Sequence, residues 1–186
     1  MPSMETLVTD RTRANVSRVL NLMQQIANQT ATQDEIDEFL ANRYEAIAVS
    51  DGVVAVSDGV IGVLTTTDTW KGAYNYTDLN RVGAAVTRIT ERLASAGIYI
   101  ATVGKSDWTE EDYNNVEALD YYLKDISLVR GAIAVTSDTP PVPDDLQGLY
   151  WWEANNIEKI LEDVDYLITN MMQAWYYSGD LYSGEV

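Results

Sequence analysis

Apolar residues recur at three- and four-residue spacing in every long segment of this chain except one. In the last of these segments Ile157, Ile160, Leu161, Val164, Leu167, Ile168, Met171 and Trp175 form a single stripe, the pattern of a helix packed against others. An earlier helix is expected from about Arg11 to Gln29, N-capped by Thr9 or Asp10, with Val16, Val19, Leu20, Met23 and Ile26 inward. A short second helix starts at Thr32, where Thr32 and Glu35 have capping-box spacing, and Ile36, Phe39 and Leu40 supply its apolar side. A third, from about Thr77 to Ala96, turns Leu79, Val82, Val86, Ile89 and Leu93 inward and stops at Gly97.

The fourth helical region opens at Trp108-Thr109-Glu110-Glu111-Asp112-Tyr113. Thr109 can cap, acidic residues suit the first turn, and Trp108 can staple onto Tyr113. Its main helix presents Val116, Leu119, Leu123, Ile126, Val129 and Ile133. Pro140, Pro141 and Pro143 make 137–145 a stiff linker, because proline cannot continue a helix. Beyond the last stripe the chain writes Tyr177-Ser178-Gly179-Asp180 and then Tyr182-Ser183-Gly184-Glu185. Glycine there lowers helical propensity, so 177–186 is expected to be a docking tail.

The exception lies between Ala46 and Leu64, where AVSDGVV at Ala48 recurs as AVSDGVI at Ala55. Asp-Gly is the preferred pair for a two-residue hairpin turn. Turns on Asp51-Gly52 and Asp58-Gly59 predict a three-stranded antiparallel meander (strands 46–50, 53–57 and 60–64) inserted at 44–70. Both of its faces are apolar, Val54 and Val56 on one and Val53 and Ala55 on the other. A solvated sheet keeps one face polar, so contact with a neighbouring chain is expected. The fold class that follows is mainly α: a single bundle-like domain of four or five helices over 1–186, with the meander as its insertion.

At 186 residues and 46% apolar composition, such a core is affordable. Neither a membrane-length apolar run nor a signal-peptide pattern is seen, so synthesis in the cytoplasm and no membrane insertion are expected. Twelve Lys and Arg face 29 Asp and Glu, a net charge of −17. Nucleic-acid binding, which needs clustered cations, is not expected. From Gly131 onward Lys159 is the only cation.

The chain has no His and no Cys. The commonest general base, thiol nucleophile and transition-metal ligands are therefore missing, and no enzyme activity, metal or cofactor is expected. Carboxylate pairs remain available, but Glu110-Glu111-Asp112 and Glu162, Asp163 and Asp165 stand where helix openings and solvated helix faces carry charge. Phosphate-binding glycine motifs are absent, and the Ser-Asp-Gly triplets lack the ligand spacing of a calcium loop. Trp151-Trp152 and Trp175-Tyr176-Tyr177 suit a core staple or a subunit interface, or a carbohydrate-stacking surface.

Four stretches, TDRTRANVSRVLNL from Thr9, KGAYNYTDLNRVGAAV from Lys71, DWTEED from Asp107 and the sequence from Glu153 to Val186, resemble small helical proteins encoded among the structural genes of tailed phages and prophages of Gram-positive gut bacteria. The resemblance implies a non-enzymatic virion subunit of the tail, baseplate or fibre-attachment region, working as a homo-oligomer and through contacts with other tail proteins. The segment between Arg43 and Trp70 departs from that pattern. The alternative is a host-surface module binding cell-wall glycans, which an exposed shallow groove floored by Trp or Tyr would favour. Candidate partner-contact residues are Val53, Val54, Val56, Trp175, Tyr177, Leu181 and Tyr182.

Overall fold

The computed structural model describes residues 7–43, 54–55, 61–62, 70–72, 74–109, 112, 116–146 and 148–182. Among these are five α-helices: α1 (Arg13–Ala27), α2 (Gln33–Arg43), α3 (Tyr76–Ser95), α4 (Val116–Gly131) and α5 (Trp151–Tyr182). A 3-10 turn at Trp70–Gly72 and two strands, β1 (Val54–Ala55) and β2 (Ile61–Gly62), complete the regular elements. The chain divides into two compact units, Asp10–Thr77 and a second made of Met1–Thr9 with Asp78–Val186.

In the unit Asp10–Thr77, α1 is capped by Thr12 rather than by Thr9 or Asp10. The Asn15 amide donates to the Thr12 hydroxyl at 3.4 Å, and the Thr12 amide donates to Asn15 Oδ1 at 2.7 Å, a capping box. The buried face of α1 is also rotated from the expected one. Asn15 and Leu22 are buried, whereas Leu20 and Met23 are 59% and 51% exposed. Packing against Trp70–Gly72 accounts for Asn15: a Cβ on Gly72 would lie 2.2 Å from the Asn15 carbonyl oxygen. Only glycine permits that approach of backbone to backbone. The α2 cap is the expected one, with the Thr32 amide donating to Glu35 at 2.9 Å and the Glu35 amide donating to the Thr32 hydroxyl at 3.3 Å. Arg18 bridges α1 to α2 through Glu38 at 2.8 Å.

The three-stranded meander is not found among the described residues, and the fold class is corrected accordingly to mainly helical. The sheet among the described residues is one antiparallel pair of two-residue strands, with Val54 opposite Gly62 and Ala55 opposite Ile61. A tight turn on Asp58-Gly59 would instead set Val54 opposite Val63 and Ala55 opposite Gly62. The register is one residue away from that arrangement, and such a slip exchanges the faces of a strand. Alternation cannot pin the register here, because both faces are apolar and the segment is rich in glycine. Residues 46–50, Val53 and Val56 lie outside the described residues.

In the second unit, α3, α4 and α5 bury a continuous apolar core. All five residues expected to face inward on α3 are buried, together with Ile126 and Val129 of α4 and Ile157, Ile160, Leu161, Val164 and Ile168 of α5. α3 ends in a Schellman motif: Gly97 takes φ +80°, its amide donates to Ala94 and the Ile98 amide donates to Leu93. The segment that follows returns along α3 so closely that a Cβ on Gly83 would meet the Lys105 carbonyl oxygen at 1.9 Å. Asp125 of α4 secures it by accepting the amides of Val103 and Gly104 at 2.8–3.1 Å. Asn80 and the Trp108 backbone exchange two hydrogen bonds, of 2.6 and 3.1 Å. Trp108 is buried edge-on against Tyr122, with centroids 6.2 Å apart; its expected partner, Tyr113, lies outside the described residues.

The proline segment is a strap. Arg130 donates to the carbonyls of Thr139 and Pro140, and the Thr139 hydroxyl donates to Asp163 of α5 at 2.9 Å. α5 then runs 32 residues, about 48 Å. It continues through Gly179 to Tyr182, so the glycine does not end it and the first part of the expected tail is helical. An already propagating helix adds one hydrogen bond per residue, which offsets the roughly 1 kcal/mol propensity cost of a glycine.

Candidate functional site

Glu158, the most buried charged residue among the described ones, has a structural role. Glu158 of α5 is fully buried and accepts from the Val8 amide at 2.6 Å and from Arg81 of α3 at 2.7 and 3.1 Å. Arg81 also pairs with Asp78 one turn away. Burial by itself would lower the pKa of Arg81, but hydrogen bonds and charge from Glu158 and Asp78 outweigh it and hold the guanidinium above its ordinary value. The group therefore stays cationic and ties residue 8, α3 and α5 together.

Of the carboxylates weighed as catalytic pairs, Glu110 and Glu111 lie outside the described residues, and the others are engaged by their neighbours. Asp112 accepts the Thr109 amide at 2.8 Å, which holds its pKa below the usual carboxylate range, with help from the Thr109 hydroxyl. Glu162 and Asp163 both receive Lys159, at 3.1 and 2.7 Å, and Asp165 pairs with Arg92. Among the described residues no group of three or more acidic side chains gathers into a cation-binding arrangement. Likewise, no described helix is long and apolar enough to cross a membrane.

Two surfaces of α5 remain, and they lie on opposite faces of it. On the inward face the apolar stripe outlasts the core. Ile168 is fully buried, yet two turns later, at the same angular position, Trp175 is 52% exposed, with Met172 beside it at 40%. On the outward face, at the start of the helix, Tyr150 and Trp152 stack with parallel rings 4.2 Å apart. They are 58% and 44% exposed. Trp151 meets Trp152 edge-on at 5.5 Å, and the Tyr150 amide is anchored on Glu153 at 2.8 Å. Beside this platform is an open depression of about 440 Å³, lined by Trp152, Asn155, Asn156, Lys159 and Glu162 of α5 and by Thr9. The Val8–Glu158 hydrogen bond fixes the wall that Thr9 supplies.

Of the candidate contact residues, Trp175 stands on the exposed end of the stripe. Tyr177, Leu181 and Tyr182 belong to the last turns of α5, and Val54 to β1; Val53 and Val56 lie outside the described residues. The sequence reading missed Tyr150, Asn155 and Asn156 as surface companions of Trp152. A helical projection places Trp152, both asparagines, Lys159 and Glu162 on the face opposite the stripe, a signal that was available. The wall supplied by Thr9 had no such signal, since it depends on a contact across 150 residues.

Comparison with known proteins identifies no relative: no family model, no curated protein and no solved structure matches this chain.

Proposed function

We propose that this chain is a non-enzymatic structural subunit that works through protein–protein contacts, and that its place is the tail, baseplate or fibre-attachment region of a tailed-phage virion. The observation that carries the contact role is the apolar stripe of α5 continuing in register beyond the buried core, where Met172 and Trp175 remain 40% and 52% exposed. Large apolar side chains on a rigid helix end are what a subunit interface uses, and Trp is prominent among residues that dominate such interfaces. The assignment to a virion rests on the sequence resemblance alone. The chain's acidity, −17 overall, would steer this surface toward a more basic partner.

The test is a pair of substitutions, Met172→Lys with Trp175→Glu, in the full chain. Helical content and melting should change little, because both side chains lie beyond the fully buried part of the stripe and are about half exposed. Self-association measured by sedimentation, and incorporation into particles produced with the altered gene, should fall by at least about tenfold, the loss expected when an interface anchor is removed. Unaltered association and incorporation would refute the contact role. Normal association without any recovery in particles, for the unaltered chain, would refute the virion assignment alone.

A further inference from the structure

We infer that the depression beside Tyr150 and Trp152 is a binding site for a neutral oligosaccharide. A sugar ring has an apolar C–H face and a rim of hydroxyls that both donate and accept. A site for it therefore combines an exposed aromatic face with polar groups of both kinds around a shallow concavity. The outward face of α5 has this combination. Trp152 is held from two sides, stacked on Tyr150 at 4.2 Å and edge-on to Trp151 at 5.5 Å. Its indole is thereby fixed, with Tyr150 over one face, and remains 44% exposed.

Along the same face, one to three turns further on, stand the carboxamides of Asn155 and Asn156, then the Lys159 ammonium and the Glu162 carboxylate. The Asn156 carboxamide offers donor and acceptor together, which suits a vicinal pair of hydroxyls. The space of about 440 Å³ falls within the roughly 300–1,000 Å³ of small-molecule sites. Because the platform and most of the polar groups sit on one helix, their spacing is set before a ligand arrives, and little ordering cost remains.

Charge selects the class of sugar. Lys159 is already shared between Glu162 at 3.1 Å and Asp163 at 2.7 Å. No other cation occurs between Gly131 and Val186. Uronic-acid, sialylated or phosphodiester polymers would bring anions to a surface with no cation to spare for them. Hexose and N-acetylhexosamine oligomers carry no such penalty. The site is independent of the Met172–Trp175 surface, which lies on the opposite face of α5, so either reading can fail without the other.

The experiment is a two-dimensional NMR titration of the full chain with four neutral probes and one anionic probe. The neutral trisaccharides are those of β-1,4-linked N-acetylglucosamine, maltose-type glucose, cellulose-type glucose and galactose; the anion is trigalacturonate. The indole N–H signal of Trp152 is assigned by its absence in Trp152→Phe. At least one neutral probe is expected to shift it saturably, with trigalacturonate giving no saturation. Trp152→Ala should weaken that binding about tenfold or more, Asn156→Ala should weaken it while leaving the fold untouched, and Trp152→Tyr should retain part of it. Trp175→Ala should leave it unchanged. Absence of a saturable shift with all four neutral probes would overturn the inference. So would equal binding by Trp152→Ala, or loss of the Trp152 signal's exposure on self-association, which would make this face a protein contact.

Discussion

The two compact units of this chain are stabilised by different means. Between Asp78 and Val186 the helices meet through apolar side chains that exclude water, such as Val82, Ile89, Ile126, Ile160 and Leu161. Between Asp10 and Thr77, Leu22 is the one apolar side chain that is fully buried among the described residues. There the interactions are caps at Thr12 and Thr32, the Arg18–Glu38 pair and the Lys71–Asp10 pair at 2.5 Å. Caps and exposed ion pairs contribute about 1 kcal/mol each or less, whereas a buried leucine or isoleucine contributes about 2–5 kcal/mol against its loss to alanine. Similar helical sequence patterns thus give one unit with an apolar core and one whose described residues are joined mainly by caps and ion pairs.

The largest effect should come from the charge buried in the better-packed unit. Glu158→Ala leaves Arg81 facing Asp78 alone and releases the Val8 amide, a loss of about 3–5 kcal/mol in chemical denaturation. A loss below about 1 kcal/mol would show that water reaches the cluster and that the core is not dry there.

Next in size is Ile160→Ala, which removes a fully buried side chain and should cost about 2–5 kcal/mol. The contrasting change, Met23→Ala on the exposed face of α1, should stay within about 0.5 kcal/mol. Equal losses at the two positions would dissolve the distinction between the units. Gly83→Ala should cost about 1–3 kcal/mol, since its Cβ would meet the Lys105 carbonyl, a backbone atom that cannot rotate away. Hydrogen exchange in that variant should speed up along 98–109 before it changes in α1.

The smallest effect concerns pH and falls on the unit that relies on local chemistry. The Thr32 backbone amide holds Glu35 below its ordinary 4.5, and the hydrogen bond from Lys71 holds Asp10 below its ordinary 3.8. Depressed carboxylate pKa values give stability that is fully present above the ordinary values and lost as pH falls through the lower, folded values. Acid titration followed by hydrogen exchange should therefore show α1 and α2 losing protection first, beginning below pH 4.5. In the variant Asp10→Asn, the Asp10 share of that response should disappear. Simultaneous loss in α3 and α5 would mean that both units respond to the same groups.

Much of the helical framework was legible in the sequence, for identifiable reasons. The α3 stripe from Leu79 to Leu93, the Gly97 stop, the Thr32–Glu35 cap and the α5 stripe depend on residues within a turn or two of one another, so spacing alone encodes them. What the sequence could not settle are features fixed by distant partners. The rotation of α1 onto Asn15 was set by the approach of Gly72, and the burial of Glu158 by Arg81 and Val8. At the 54–62 pair, repeated Asp-Gly turns pointed to a register that apolar residues on both faces could not enforce. The depression beside Trp152 was half legible: helical periodicity collects its α5 residues on one face, but its Thr9 wall exists only because a backbone amide reaches a carboxylate 150 residues away. Local spacing is written into the chain because neighbours in sequence are neighbours in a helix; pairings across the fold are decided only when tertiary packing brings the partners together.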